Sequence, residues 1–185
     1  PYRLARLGIG RTFQNLRLFK ELTVLENITS AYLSGHRYSP FAGIFRTGRH
    51  SSVENNAQVK AWVLIEFLGL AGREHTKAGS LPYGEQRRLE LARALAIEPQ
   101  LLLIDEPGAG MNPREIQDLV TTLREAKKRF SLTIVMIEHQ MGLVMNISDR
   151  ILVMDFGEKI MEGTPAEVKK DRRVIEAYLG EEGPA

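Results

Sequence analysis

Leu101-Leu102-Leu103-Ile104-Asp105-Glu106-Pro107 decides how this chain is read, together with the segment leading into it, Leu81-Pro82-Tyr83-Gly84-Glu85-Gln86-Arg87-Arg88-Leu89-Glu90-Leu91-Ala92-Arg93-Ala94. Four apolar residues ending in two adjacent acids predict a buried strand that delivers carboxylates to the rim of a sheet. At such a rim one acid suits a magnesium ion, and its neighbour, facing the other way, can orient and polarise an attacking water. A bare Asp-Glu pair is more often a solvated strand end; the apolar run before it and Pro107 after it favour chemistry. The loop that normally grips the phosphate does not accompany them. No Gly-Lys dipeptide occurs anywhere in the sequence, so G-x-x-x-x-G-K-[ST] is missing.

Composition narrows the class. The 185 residues, 43% apolar and 26% charged, suit one soluble globular domain with a real core. Lys and Arg number 25 against 23 Asp and Glu, a net charge of +2, too small for bulk attraction to nucleic acid. The chain has no cysteine, so it carries no disulfide framework and no thiolate metal site, which fits a reducing compartment. No apolar stretch approaches the ~20 residues that span a bilayer. The first residue is Pro1, and a fragment of a longer protein is expected.

Periodicity then places the elements. Ile9 to Phe13 reads as a short strand with Gln14 in the loop beyond it. Thr23-Val24-Leu25-Glu26 has the form of a capping box opening a helix to about Leu33. Ser34 to Ser52, rich in Gly, Ser, Arg and His and containing Pro40, reads as an exposed loop. Val59, Val63 and Phe67, beside Leu64 and Leu68, recur at helical spacing, with Gly69 as a stop. After Pro99 short apolar strands alternate with helices: Leu101 to Ile104, Thr133 to Ile137 and Ile151 to Met154 are strands, and Ile116, Leu119, Val120 and Leu123 mark a helix between the first two. That alternation indicates a parallel α/β sheet. Asn112-Pro113-Arg114-Glu115 and Thr164-Pro165-Ala166-Glu167 supply helix starts, and Phe156-Gly157-Glu158-Lys159 a hairpin turn into a strand near Met161.

Three further positions bear on chemistry. His139 follows the strand Thr133 to Ile137 as Asp105 and Glu106 follow theirs, so it is expected at the same rim; His36, His50 and His75 lack such a place and read as structural or exposed. Gly84 opens a helix whose Leu89, Ala92 and Ala96 share a face, and the amides of such a start suit an anion. Gly84 as a mere chain turn fits the local sequence equally well. Gln14 alone would be any loop glutamine.

Taken together these residues resemble the ATP-binding subunit of ATP-binding cassette (ABC) transporters. Gln14 in Arg11-Thr12-Phe13-Gln14 is similar to the glutamine loop, Leu81 to Gln86 to the signature segment, Leu101 to Glu106 to the Walker B strand, Gly108 to Asn112 to the D-loop, and His139 to the switch histidine. The resemblance covers essentially the whole chain, and implies that the A-loop and Walker A strand lie upstream of Pro1. It implies a P-loop NTPase-like α/β core, residues 1–20 and 98–185, with an inserted helical subdomain, residues 21–97, that carries the signature.

The same resemblance implies ATP hydrolysis with Mg2+ between two cassettes paired head to tail, as a homo- or heterodimer. Glu106 would be the general base, Asp105 and Gln14 magnesium-site ligands, and His139 the sensor of the γ-phosphate. Tyr83, Gly84, Glu85 and Gln86 would contact the γ-phosphate held by the opposite subunit. Pro82 replaces the usual signature serine, so its hydroxyl and an amide are lost, and Asn112 replaces the D-loop aspartate, keeping a cap but losing a charge. Membrane-spanning permease subunits and, through them, a substrate-binding protein are the implied partners, at the cytoplasmic face of the membrane. No nucleic acid is expected.

Within the family, Gly8 to Gln14, Leu81 to Glu90, Ile137-Glu138-His139, Ile147 to Arg150, the Ser34 to Ser52 insertion and Ala177 to Glu181 resemble most the G-type ATPase of branched-chain amino-acid importers. Urea-type importers and lipopolysaccharide exporters are close relatives, and a non-membrane ABC ATPase acting on DNA or ribosomes is the reading from another class. Leu18, Phe19 and Leu22 are candidates for docking the membrane subunit, or for ordinary core packing. Without a P-loop the 185 residues alone are expected to be inactive.

Overall fold

The computed structural model describes residues 4–5, 7–12, 16–35 and 48–179. Gln14 and most of the expected loop lie outside the described residues. The chain divides into two compact units, Pro1–Pro107 with Glu125–Ile137, and Gly108–Arg124 with Glu138–Ala185.

The first unit is built on three parallel strands, β1 (Ile9–Arg11), β2 (Leu101–Asp105) and β3 (Thr133–Ile137), in the order β1-β2-β3. Ile9 stands opposite Leu101, and Asp105 opposite Ile137. Leu102 and Ile104 are buried while Leu101, Leu103 and Asp105 are half-buried, so β2 is enclosed as its apolar run requires. β3 departs from that expectation. Its alternate residues Val135 and Ile137 remain 51% and 66% exposed among the described residues.

Helices α1 (Val24–Gly35), α2 (Gly48–Phe67) and α3 (Tyr83–Ala96) belong to this unit, with a short 3-10 turn at Ala78–Ser80. α1 packs on α2 and α3, burying Val24, Ile28, Leu64, Ile65 and Leu89. The expected bounds Ser34 to Ser52 are corrected at both ends, because Ser34 and Gly35 belong to α1 and α2 starts at Gly48. The buried stripe of α2 keeps the expected Leu64, with Leu68 just beyond the helix end, but not Val59, and Val63 and Phe67 are only half-buried. Ala57, Ala61, Leu64, Ile65 and Leu68 face inward, and Val59 is 61% exposed. The two alanines are small enough to contribute to the buried face, which an apolarity count ranks below valine. At the end of α2 Gly69 adopts φ +64°, and the Leu70 amide donates to the Ile65 carbonyl at 2.8 Å, a left-handed helix stop that suits glycine.

In the second unit the Ile151 to Met154 strand does not join the parallel sheet. β4 (Ile151–Asp155) pairs antiparallel with β5 (Glu158–Gly163) in a sheet of its own, joined by the Phe156-Gly157 turn. With only two residues between them an antiparallel pair forms locally, whereas a parallel partner needs a crossover. Helix α4 (Pro113–Arg129) precedes β3, and α5 (Met141–Ile147), α6 (Pro165–Val168) and α7 (Arg172–Val174) follow in the chain. Ile151, Val153, Val168 and Val174 form this unit's core, with Met141, Val144 and Ile160 packed on it. Among the described residues no helix is long and apolar enough to cross a membrane.

Capping boxes open α1 and α6. The Thr23 amide and hydroxyl donate to Glu26 at 2.8 and 2.9 Å, and the Glu26 amide returns to the Thr23 hydroxyl at 3.2 Å. Thr164 and Glu167 repeat the arrangement. The Thr23 amide, then the Thr23 hydroxyl, holds the Glu26 carboxyl below its ordinary value of 4.5, and Thr164 does the same for Glu167. A carboxyl with a depressed folded-state pKa adds stability that is complete above the unfolded value and lost as pH falls through the folded one. Thermal melts are therefore expected to separate wild type from Glu26→Gln at neutral pH and to converge once acid has protonated Glu26; a gap independent of pH would contradict the charge-based cap.

Candidate active site

The acids at the end of β2 are set by the sheet. Asp105 is the last residue of the strand, and its carboxylate lies 3.9 Å from the Arg11 guanidinium on β1. Its side chain is 32% exposed, so it can meet solvent or an ion. The Glu106 amide donates to the Ile137 carbonyl at 2.9 Å, which extends the β2–β3 ladder by one bond. Glu106 then takes φ +43°, a left-handed conformation that costs a residue with a Cβ about 1 kcal/mol or more. Strain of this kind persists where the surroundings enforce it. Here the ladder bond holds the amide before the turn, and beyond it the Pro107 carbonyl accepts from Arg87 Nη1 at 2.6 Å.

Arg87 ties this strand end to the start of α3. Its Nη2 donates to the Tyr83 hydroxyl at 2.9 Å, and the guanidinium lies 4.8 Å from the Tyr83 ring centroid. The first helical bond of α3 runs from the Gln86 amide to the Pro82 carbonyl, so the amides of Tyr83, Gly84 and Glu85 precede the ladder. A Cβ added at Gly84 would meet nothing within 4 Å, leaving its backbone open to a ligand. Side chains nearby are turned to other work: Glu85 pairs with Arg73 at 3.2 Å, and Gln86 Nε2 donates to the Leu81 carbonyl at 2.8 Å.

His139 stands two residues beyond β3, in the second unit. It is 63% exposed, and its Nδ1 lies 3.7 Å from the Glu138 carboxylate. The Glu138 side chain is fully buried. It accepts from the amides of Gly108 and His139 at 2.8 Å each and of Gln140 at 3.2 Å. Asn112 caps α4, accepting from the amides of Arg114 and Glu115 at 3.0 Å each, while its own amide donates to Glu115 at 2.8 Å. The aspartate-to-asparagine change at this place therefore keeps the cap.

Asp105, Glu106, Pro107, Tyr83, Gly84 and Arg87 are thus joined in one unit, His139 belongs to the other, and Gln14 lies outside the described residues. Sequence reasoning missed Arg87 and Glu138. Arg87 sits in a run of charged residues at a helix start, indistinguishable from a solvated face. Glu138 carries a signal, an acid placed directly between an apolar strand and a histidine.

Among the described residues no group of three His, Cys, Asp or Glu could hold a metal ion. Magnesium needs no such cage, since one or two carboxylates with waters and substrate phosphates satisfy it. A half-exposed carboxylate at a strand end, as Asp105 is, fits that role.

The family model described as ABC transporter matches residues 2–109, and one described as branched-chain amino acid ATP-binding cassette transporter matches residues 158–184. The chain is 42% identical over 178 residues to the high-affinity branched-chain amino acid transport ATP-binding protein LivG of Salmonella typhimurium, covering 96% of this chain and 70% of that protein. It is 41% identical over 180 residues to the corresponding protein BraF of Pseudomonas aeruginosa, covering 97% and 71%. Among solved structures it resembles the ADP conformation of an ATP-binding cassette of an ABC transporter, with a TM-score of 0.75 at 34% identity, covering 97% of this chain and 71% of that one.

Proposed function

The chain belongs to the ABC transporter family of ATP-binding cassettes, and from that premise we propose that it is the ATP-hydrolysing subunit of an importer for branched-chain amino acids. The observation that carries the substrate class is the likeness to LivG over nearly the whole chain, with the separate match at residues 158–184. The strand-end acids and the open helix start carry the chemistry.

In this reading Glu106 is the general base that takes a proton from the attacking water, and His139 contacts the γ-phosphate. Asp105 and Gln14 hold Mg2+, which when bound neutralises charge on the phosphates. The amides at Tyr83, Gly84, Glu85 and Gln86 meet the γ-phosphate held by a second cassette, in a homo- or heterodimer. Residues 21–97 form the helical subdomain, inserted into a core of residues 1–20 and 98–185. The partners are permease subunits, and through them an extracellular or periplasmic binding protein, with this subunit peripheral on the cytoplasmic face. Lacking a P-loop, the 185 residues alone turn over no ATP.

The test is transport itself. Vesicles holding the full-length protein with its permease subunits are expected to accumulate leucine, isoleucine or valine only when ATP is present on the side of this subunit and the binding protein on the other. Uptake of urea instead, or export of lipopolysaccharide, would overturn the substrate assignment and leave the ATPase standing.

A further inference from the structure

We propose that Glu138 and Gln140 are positioning residues that clamp Gly108 between them, so that the histidine they flank and the loop Gly108–Asn112 move as one piece. This rests on the reading of His139 and that loop given above. Both polar groups of the Gly108 backbone are taken by the neighbours of His139: its amide donates to Glu138 Oε1 at 2.8 Å, and its carbonyl accepts from Gln140 Nε2 at 2.8 Å. The same carboxylate receives the amides of His139 and Gln140 through Oε2. One buried group therefore holds both the histidine that the reading assigns to sensing nucleotide and the loop likened above to the D-loop.

The cost of the arrangement argues that it serves more than stability. A carboxylate with no exposed surface must be solvated by the protein, and three amides do so here. Apolar packing of similar volume would stabilise as well or better. Residue type at position 108 follows from the carboxylate: a Cβ there would stand 2.8 Å from Glu138 Oε1 and 3.0 Å from Leu143 Cδ2, so a side chain would push the acid off its amides. Within the loop the Met111 amide donates to the Gly108 carbonyl at 3.1 Å, and the Asn112 cap anchors the far end on α4. Clamped at one end and capped at the other, the loop has little freedom to move apart from His139.

The experiment uses the full-length protein assembled with its permease subunits. Glu138→Gln keeps the shape but presents an amide donor to backbone donors. Gln140→Leu removes the second contact and leaves the carboxylate in place. Glu138→Gln is expected to lower kcat on the order of tenfold, and Gln140→Leu less, with KM for ATP and the stoichiometry of nucleotide binding unchanged. In hydrogen exchange the Gly108 amide loses protection in Glu138→Gln. Adding Gly108→Ala to Glu138→Gln costs little more kcat than either alone, because both break one contact. A lower melting temperature with kcat unchanged, or full additivity in the double variant, would overturn the proposal while the ATPase reading stands. A wild-type assembly that hydrolyses no ATP would instead remove that reading, and with it the task assigned to the clamp, even if Gly108 stays protected.

Discussion

Glu106→Gln in the assembled transporter is expected to lower steady-state ATP hydrolysis on the order of 10²- to 10⁴-fold, the range that a positioned general base contributes. The amide matches the carboxylate in size, so the Glu106 amide bond to Ile137 and the left-handed turn at φ +43° can persist. Loss of the base therefore changes the barrier rather than the fold. Nucleotide affinity should stay near wild type, since the role assigned to Glu106 arises only as water attacks. Phosphate release measured beside equilibrium ATP binding separates the two effects. Activity within about tenfold of wild type would take the base assignment away from Glu106. Asp105→Asn is the informative companion: it acts on the residue paired with Arg11 and assigned to Mg2+, and it should raise the magnesium concentration needed for half-maximal activity as well as lower the rate.

The second large effect is on stability. Asn27→Ala is expected to destabilise the first unit by about 3–5 kcal/mol, several broken hydrogen bonds at roughly 1–3 kcal/mol for each buried group left without a partner. Asn27 is fully buried on α1. Its Oδ1 accepts from the Phe19 amide at 3.0 Å, and its Nδ2 donates to the carbonyls of Phe19 at 3.0 Å, Leu22 at 3.2 Å and Thr23 at 2.9 Å. One side chain so replaces a strand partner for the segment before α1. The Phe19 ring in turn lies 4.6 Å from the Arg93 guanidinium on α3, so loosening this segment also disturbs a second helix. Asn27→Asp should be no milder, because a buried carboxylate would face three carbonyl oxygens. Denaturant melts of the 185-residue chain give the measurement; a loss below about 1 kcal/mol would show that water replaces the side chain.

Much of the local structure was legible because its causes are local. The caps at Thr23, Asn112 and Thr164 require side chains to reach amides two or three residues away, and each forms as the spacing implies. The same holds for the Phe156-Gly157 turn and the stop at Gly69. On α2 the expected Leu64 and, just past its end, Leu68 are buried, but Ala57 and Ala61 join that face through packing that apolarity scales do not see. The bounds expected for the Ser34 to Ser52 loop were too wide, because α1 runs to Gly35 and α2 begins at Gly48.

The sequence by itself determined the kind of protein, since strand-end acids, an amide-presenting helix start, a glutamine loop and a histidine after a strand occur in one order, and order along a chain survives without coordinates. Tertiary structure alone decided what supports those residues. Arg87 holds the Pro107 carbonyl from 20 positions away, Glu138 holds Gly108 from 30, and Asn27 serves Phe19 across a turn. Such partners are chosen by proximity in the folded state, where a buried charge or carbonyl must find whichever group lies nearest. Nothing in their spacing along the chain announces them.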